Sequence, residues 1–201
     1  GKQSTSPVKH SPQINKLTRL RHQLEQFHGV QHKDAIQTAW PHLGHADRFV
    51  RWAAMTAIMH QPVDQWRNRA LSEKDHNKRV VALLGLCKVA GSDPHNRKPG
   101  QFAPAVDRPT SNAIFKALSQ VKWNRLDHEG RLTLVRTYQV ALVRFNKPNS
   151  RTVTKVIAQL DPQFPAPNFE QNWLLCETLA YLQAVSVAAK GMKLIQESPT
   201  P

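Results

Sequence analysis

The sequence predicts an all-α protein built as a superhelix of stacked antiparallel helix pairs. Apolar residues recur every three to four positions along most of the chain, which is typical of amphipathic helices. Strand signals are missing, because the sequence has no sustained alternation of apolar and polar residues and no Asn-Gly or Asp-Gly turn. An aspartate also recurs near the start of the second helix of each predicted pair, at positions 47, 75, 127 and 161.

Capping residues delimit the first five predicted helices. Gly29 closes the first helix as a C-cap, and Pro41 lies near the end of the second. Asp47 caps the third helix, Pro62 begins the fourth, and Asp75 caps the fifth. The predicted ranges are 13–28, 32–43, 47–60, 63–73 and 76–90. We expect the second helix to pair with the third, and the fourth with the fifth.

A loop at 91–109 interrupts this pattern, because it contains four prolines and two glycines. We expect the loop to lie over the outer surface and to be cut first in limited proteolysis. The helical pattern then resumes at 111–121, 127–145, 149–160, 169–184 and 187–196. The sequence therefore predicts a single helical-repeat domain at 13–197, between a disordered tail at 1–12 and a short tail at 198–201.

The stretch TAWPHLGHADRFVRWAAMTAI, residues 38–58, resembles a HEAT repeat. It has a first helix with a late proline, a tight turn with an aspartate, and a second helix with an arginine and small alanines. In HEAT arrays this aspartate and arginine commonly form a buried ladder between neighbouring repeats, so the resemblance implies a ladder here. The matching pairs, four residues apart, are Asp47 with Arg51, Asp75 with Arg79, and Asp127 with Arg131. Asp161 is followed at that offset by Pro165, so the ladder should fail in the last pair.

The segments GHADRFVRWAAMTAIMHQPVDQW and QLDPQFPAPNFEQNWLLCETLAYLQAVSVAAKGMKLI are similar to the helical-repeat region of large exported bacterial proteins. In that family a sugar-dehydrogenase-like propeller precedes the HEAT repeats, and a c-type cytochrome domain follows them. The resemblance implies that this chain is a non-catalytic segment of a longer multidomain protein, whose oxidoreductase activity would lie in other domains. It also implies a periplasmic or exported location, which nothing else in the sequence indicates.

Sequence motifs for catalysis and cofactor binding are absent. The chain has no GxSxG, P-loop, GxGxxG or CxxCH motif. The histidines between positions 28 and 45 lack the HExxH spacing of a zinc site. Cys87 and Cys176 lie among apolar residues, and we interpret both as buried thiols. We therefore predict no catalytic residue, no cofactor and no metal ligand in this chain.

The helix at 47–60 carries a mixed cationic, aromatic and methionine-rich face. At about 100° per residue, the positions expected to face the core are Phe49, Val50, Ala53, Ala57 and Ile58. The predicted interaction strip on and beside the opposite side consists of Arg48, Trp52, Met55 and Met59. The sequence leaves open whether this strip is an inter-repeat contact or an exposed binding surface.

A formal net charge of +14 favours contact with nucleic acid, an anionic surface or an acidic partner. The positive excess sits in three separate blocks, 1–33, 61–90 and 110–148, so we expect weak, salt-sensitive DNA binding at most. No apolar run reaches the roughly 18 residues of a membrane span. The sequence indicates nothing about oligomeric state.

Three functional interpretations follow from the sequence. The leading one is a non-catalytic scaffold or interaction segment whose partners are proteins or other domains. The alternative is a nucleic-acid-binding HEAT-like protein such as an alkylpurine DNA glycosylase, which needs a carboxylate with aromatic rings in a cleft. Asp64 with Trp66 is the nearest approach to that arrangement. A third interpretation is a lyase-type HEAT protein that acts on bilin chromophores.

Overall fold

The computed structural model describes residues 12–93 and 105–197. These residues form ten α-helices, three short 3-10 turns and no strand, which confirms the all-α prediction for the described part of the chain. The helices are α1 (Pro12–Glu25), α2 (Ala35–Ala39), α3 (Arg48–Met59), α4 (Val63–Ser72), α5 (His76–Ala90), α6 (Arg108–Ser119), α7 (His128–Phe145), α8 (Ser150–Leu160), α9 (Phe169–Tyr181) and α10 (Val187–Gln196). Residues 1–11 of the predicted tail at 1–12, the predicted tail at 198–201, and residues 94–104 of the predicted loop lie outside the described residues.

Aspartate and asparagine side chains begin the longer helices by accepting a hydrogen bond from a backbone N–H of the first turn. The carboxylate of Asp47 accepts from the N–H of Val50 at 3.0 Å. The equivalent bonds at α5, α6 and α7 are made by Asp75 (2.9 Å), Asp107 (3.0 Å) and Asp127 (2.7 Å). Short-range capping therefore sets where these helices begin.

Several helix boundaries differ from the sequence prediction, and two of the differences concern capping residues. Asp107 caps α6, which consequently begins at Arg108 rather than at the predicted position 111. The aspartate expected before the second helix of the last pair is also misplaced. Asp161 follows the end of α8 and opens a 3-10 turn, whereas Asn168 caps α9. Both errors arise in proline-containing segments, where the helical period gives no boundary.

The described residues fall into two compact units, which are divided between Gln61 and Pro62. In the first unit, α1 and α2 each pack against α3. Helix α2 has only five residues, because the chain tightens into the 3-10 turn Trp40–Gly44 with Pro41 in its first turn. The prediction that 13–197 form a single domain stays a prediction.

The amide side chain of Gln61 anchors the connection between α1 and α2 in the first unit. Its Nε2 donates to the backbone carbonyls of Val30 at 3.0 Å and Ala57 at 2.9 Å. Its Oε1 accepts from the backbone N–H of His32 at 2.8 Å. Gln61 is 5% exposed, so this amide satisfies backbone groups in a place that is largely shielded from water.

The second unit contains α4 to α10, and its helices contact one another in two rows. Helix α5 contacts α7, and α7 contacts α9. Helix α4 contacts α6, and α6 contacts α8. Between the rows, α4 packs against α5, α6 against α7, and α8 against α9, while α10 contacts α9. Helices two positions apart along the chain therefore contact each other within each row, and the pairs α4–α5, α6–α7 and α8–α9 connect the rows.

A buried polar cluster joins α6, α7 and α8. The hydroxyl group of Tyr138 on α7 donates to Oε1 of Gln159 on α8. The Nε2 of Gln159 donates to two carbonyls at the end of α6 and just beyond it, those of Leu118 at 3.2 Å and Val121 at 2.8 Å. Tyr138 is fully buried, and burial raises the pKa of its hydroxyl group far above its usual range. The phenol therefore stays protonated and serves as a donor.

Candidate interaction groove

A groove of about 820 Å³ lies between α9, α10 and the segment 164–168 of the second unit. Its main apolar lining residues are Phe164, Phe169, Trp173, Cys176, Leu194 and Ile195. We call it the α9–α10 groove. Three of these side chains are largely uncovered: Phe169 is 75% exposed, Trp173 56% and Ile195 69%. Large adjacent apolar side chains are unusual on a protein surface and often mark an interaction site.

Hydrogen bonds hold the walls of the groove in place. The side chain of Asn172 accepts from the backbone N–H of Ala166 at 2.6 Å and donates to the carbonyl of the same residue at 2.9 Å. The indole N–H of Trp173 donates to Oε1 of Glu177 at 2.8 Å. Nε2 of Gln139 on α7 donates to the other carboxylate oxygen at 3.2 Å. The exposed indole is therefore oriented before any partner binds.

Asp161 fastens α10 to the end of α8. Its carboxylate accepts from the hydroxyl group of Ser186, and its Oδ2 lies 3.0 Å from Nζ of Lys190. The same Nζ donates to the backbone carbonyl of Asp161 at 2.7 Å. The hydroxyl group of Ser186, and then Lys190, hold the pKa of Asp161 below its usual range.

Helix α10 is positioned but hardly covered. No residue of α10 is buried in the described structure, and the helix packs mainly against α9. Its apolar residues, including Leu194 and Ile195, line the groove rather than a core. The apolar side of α10 that faces the groove is therefore open in the described structure.

The two cysteines differ, which corrects the prediction that both are buried. Cys87 is fully buried, and burial raises the pKa of its thiol to about 12. Cys176 is half-buried and lines the α9–α10 groove. The sequence could not separate them, because both lie between apolar neighbours on helices.

The predicted strip on α3 is only partly exposed. Arg48 is exposed and Trp52 is 55% exposed, whereas Met59 is half-buried. Met55 is 4% exposed, so it cannot belong to an exposed strip, and this part of the prediction is wrong. Phe49, expected in the core, is 59% exposed, and the guanidinium carbon of Arg48 lies 5.4 Å from its ring centre.

The burial of Met55 and the exposure of Phe49 follow from the width and direction of the buried arc of α3. The buried positions run from Ala53 through Ala54 to Met55, an arc of about 200° at 100° per residue. This helix therefore has more than one covered side. The expected core arc was narrower and was centred too close to Phe49.

Two of the three arginines of the predicted ladder, Arg51 and Arg79, bind backbone carbonyls of the turn that precedes their own helix. Arg51 is 6% exposed, and its Nη1 donates to the carbonyl of His45 at 2.7 Å. Arg79 is 9% exposed, and its Nε donates to the carbonyl of Glu73. These bonds and the aspartate caps stiffen each turn. A ladder between neighbouring pairs stays a prediction, including for Asp127 with Arg131.

The tryptophans do not form one stacking set. Trp40 and Trp66 are buried, Trp52 and Trp173 are exposed, and Trp123 is half-buried. The guanidinium carbon of Arg131 lies 5.7 Å from the ring centre of Trp123, in cation–π range. Trp66 is 1% exposed, so its ring is not accessible to a base beside Asp64. The pair Asp64 and Trp66, the closest resemblance to a glycosylase site in the sequence, therefore lacks an accessible aromatic ring.

Two kinds of feature, a cluster of metal-ligating side chains and a membrane-spanning helix, are not found in the part of the chain that the structure describes. These residues contain no group of three or more His, Cys, Asp or Glu side chains placed to hold a metal ion. None of the helices described is long and apolar enough to cross a membrane. Compared with protein-family models, with curated proteins and with solved structures, the sequence matched none of them.

The α9–α10 groove was not among the sites predicted from the sequence. Phe169 and Trp173 are four residues apart on α9, and their ring centres lie 6.1 Å apart. That spacing places the two aromatic side chains on one face of the helix, and this pattern in the sequence could have indicated an aromatic surface. The spacing could not show that nothing in the described structure covers this face.

Proposed function

We propose that the chain is a non-catalytic, HEAT-like helical-repeat module that binds a partner protein through the α9–α10 groove. The contacts α4–α6–α8 and α5–α7–α9 support the repeat arrangement, because stacked antiparallel pairs bring first helices together and second helices together. The large exported parent implied by the sequence resemblance would supply such a partner from its other domains. A separate chain is the other source of a partner.

One observation carries the proposal, namely the pair of exposed aromatic rings at the mouth of a preformed apolar groove. Trp173 is held by Glu177 at 2.8 Å, so little side-chain entropy is lost when a partner covers it. Tryptophan and other large aromatics are enriched among the residues that dominate binding free energy. The groove and the two exposed rings are therefore suited to binding apolar anchor side chains of a partner protein.

The occupant that fits best is an amphipathic helix of the partner. A helix in a groove uses apolar anchors at i, i+3 or i+4, and i+7, which pack between two walls. Here α9 and α10 form the walls, and α10 has an open apolar face in the described structure. A partner helix would complete the packing that the interior helices of the second unit already have.

Site-specific photocrosslinking in the cells that produce the protein tests the proposal. The photoreactive amino acid p-benzoylphenylalanine replaces Phe169 at the groove or, as a matched control, Tyr181. Tyr181 is 55% exposed at the end of α9 and is not a groove residue. We expect a discrete crosslinked protein from position 169, absent from position 181 and lost when Trp173→Glu is added.

Equal capture at both positions would contradict the proposal, because it would reflect exposure alone. Capture at position 169 that survives Trp173→Glu would also contradict it, since the indole would then not contribute. Circular dichroism of the Trp173→Glu protein controls for loss of fold, and Tyr181→Glu is the matched charge control.

A further inference from the structure

A second surface of the same unit, formed by α6 and α8, has a different chemistry. The exposed cations on these two helices are Arg108, Lys116, Arg151 and Lys155. Neither helix contains an acidic residue. The two helices contact each other, so these exposed cations lie on neighbouring helices. We call this surface the α6–α8 basic face.

Exposure follows a single stripe along each helix. On α6, Asn112 lies midway between the two cations, four residues from each, and is exposed, whereas Ile114 is buried. On α8 the two cations are four residues apart, and Ala158 extends their stripe three residues further and is exposed. Val156 and Leu160 of the same helix are buried. The cations of both helices therefore lie on exposed sides of their helices, and Nη1 of Arg108 also donates to the carbonyl of Phe145 at 3.5 Å.

The cations of this face are not neutralised by neighbouring side chains. Within the described ranges, Lys116, Arg151 and Lys155 take part in no ion pair. The nearest acidic position in sequence to α6 is Asp107, whose carboxylate caps this helix by accepting from the N–H of Thr110. By contrast, α9 contains two glutamates and no lysine or arginine. Charge is therefore segregated between elements of this unit.

We propose that the α6–α8 basic face binds the phosphodiester backbone of nucleic acid without reading its sequence. This site is separate from the α9–α10 groove and goes beyond the proposed protein-binding function. The proposal concerns phosphate contacts alone and includes no base excision.

The absence of large exposed apolar side chains favours nucleic acid over the other anionic partners. None of the large apolar residues exposed in the described structure lies on α6 or α8. A peptide interface is usually centred on buried aromatic or aliphatic anchors. A membrane-surface helix inserts an apolar face below the headgroups. A phosphodiester backbone requires only cations and hydrogen-bond donors, which this face presents.

The dimensions of the face fit a short length of duplex. Arg108 and Lys116 are eight residues apart, which is about 12 Å along a helix at 1.5 Å per residue. Packed helices lie roughly 8–10 Å apart, which sets the width. At 3.4 Å per nucleotide of one strand, about 12 Å of duplex axis holds three or four phosphates. The face can therefore neutralise about as many phosphates as it has cations.

The probe is a fluorescently labelled duplex of mixed sequence, about 20 base pairs long, titrated at several salt concentrations with the full chain. We expect a Kd of roughly 10⁻⁴ to 10⁻⁶ M near physiological salt, the range of non-specific binding. The logarithm of the binding constant should fall with the logarithm of salt concentration with a slope of about −2.7 to −3.6, from three or four phosphates at 0.9 each.

Two triple variants separate this face from net charge. Lys116→Gln, Arg151→Gln and Lys155→Gln together should weaken binding at least about tenfold and should reduce the salt slope by about 2.7, three contacts at 0.9 each. The matched control replaces Arg125, Arg136 and Lys193 by Gln. These three cations are exposed, lie in the same unit and are outside α6 and α8. The control should change the slope by less than about 1.

The proposal is overturned if the protein does not bind the duplex, or if both triple variants weaken binding equally. It is also overturned if the first triple variant lowers binding to vesicles containing phosphatidylserine more than binding to the duplex, because the surface would then serve a membrane. Circular dichroism melting controls for folding. If the triple variant does not fold, Lys116→Gln and Lys155→Gln are tested singly, each with an expected slope change of about 1.

Discussion

Replacing Gln159 by leucine should destabilise the second unit, because this side chain joins three helices. The change removes the acceptor of the buried Tyr138 hydroxyl group and the donor to the carbonyls of Leu118 and Val121. The carbonyl of Leu118 keeps a backbone partner, the N–H of Val121 at 3.0 Å. Two groups are thus left without a partner, the phenol hydroxyl and the Val121 carbonyl.

The expected cost follows from those two groups. Leaving a buried polar group without a partner costs about 1–3 kcal/mol, so Gln159→Leu should lower the free energy of unfolding by about 3 kcal/mol. Tyr138→Phe should cost about 1 kcal/mol, because Gln159 is half-buried and its amide oxygen can turn to water. In the double variant no phenol is left unpaired, so the two costs should not add. We expect a coupling of about 1–2 kcal/mol.

Urea unfolding of the four proteins measures this cycle, provided that the slopes with denaturant agree. Ala158→Leu is the matched control, since Ala158 is exposed beside Gln159 on α8. It places a leucine on the same helix without removing a buried hydrogen bond, and it should change stability by less than about 0.5 kcal/mol. Additive costs, or a Gln159→Leu protein as stable as the control, would refute the contact between α6, α7 and α8 on which the two-row arrangement depends.

Three further predictions concern a cap, a carboxylate and a thiol. Asp47→Ala should lower the free energy of unfolding by about 1 kcal/mol, measured by thermal or urea unfolding, because it removes a helix cap. Asp34→Ala should lower it much less, because the Asp34 side chain makes no capping bond. Equal effects of the two substitutions would contradict this prediction. The folded pKa of Asp161 is lowered, so its stabilisation of α10 is complete above the unfolded pKa of about 3.9 and is lost as pH falls further through the folded value. The NMR chemical shifts of α10 backbone amides should therefore change at acidic pH, and Asp161→Asn should give the changed shifts already at pH near 6. Chemical shifts that do not depend on pH would argue against the attachment of α10 through Asp161. Iodoacetamide at mildly alkaline pH should modify Cys176 well before Cys87, as read by peptide mass spectrometry, and the reverse order would show that the groove is closed.

Local chemistry made much of the fold predictable. The caps at Asp47, Asp75 and Asp127 depend on residues three positions apart, so the sequence alone indicates them. Helical period identified the ten helices of the described ranges, because an amphipathic helix carries its apolar residues on one side. These signals need no knowledge of what a helix packs against.

Properties that depend on packing could not be predicted in this way. Met55 is buried and Phe49 exposed because α3 is covered on a wide arc, and the period of a sequence fixes neither the width nor the direction of that arc. Cys176 lines a groove because α10 leaves it uncovered, although its neighbours are as apolar as those of Cys87. The candidate groove was missed for the same reason, since an apolar face on α9 predicts burial just as well as exposure.

Summed charge along the sequence is a poor guide to surface charge for the same physical reason. The segment 149–201 is neutral overall, because Arg151 and Lys155 are balanced mainly by acids further along the chain. Two of those acids, Glu170 and Glu177, lie on α9, whereas α8 retains its cations without an acid of its own. Since charges act over roughly 8 Å in physiological salt, an approaching phosphate responds to the helix that it meets rather than to the whole segment. The α6–α8 basic face therefore combines Lys116 from a basic block with cations from a segment that is neutral in sequence, which only the folded chain brings together.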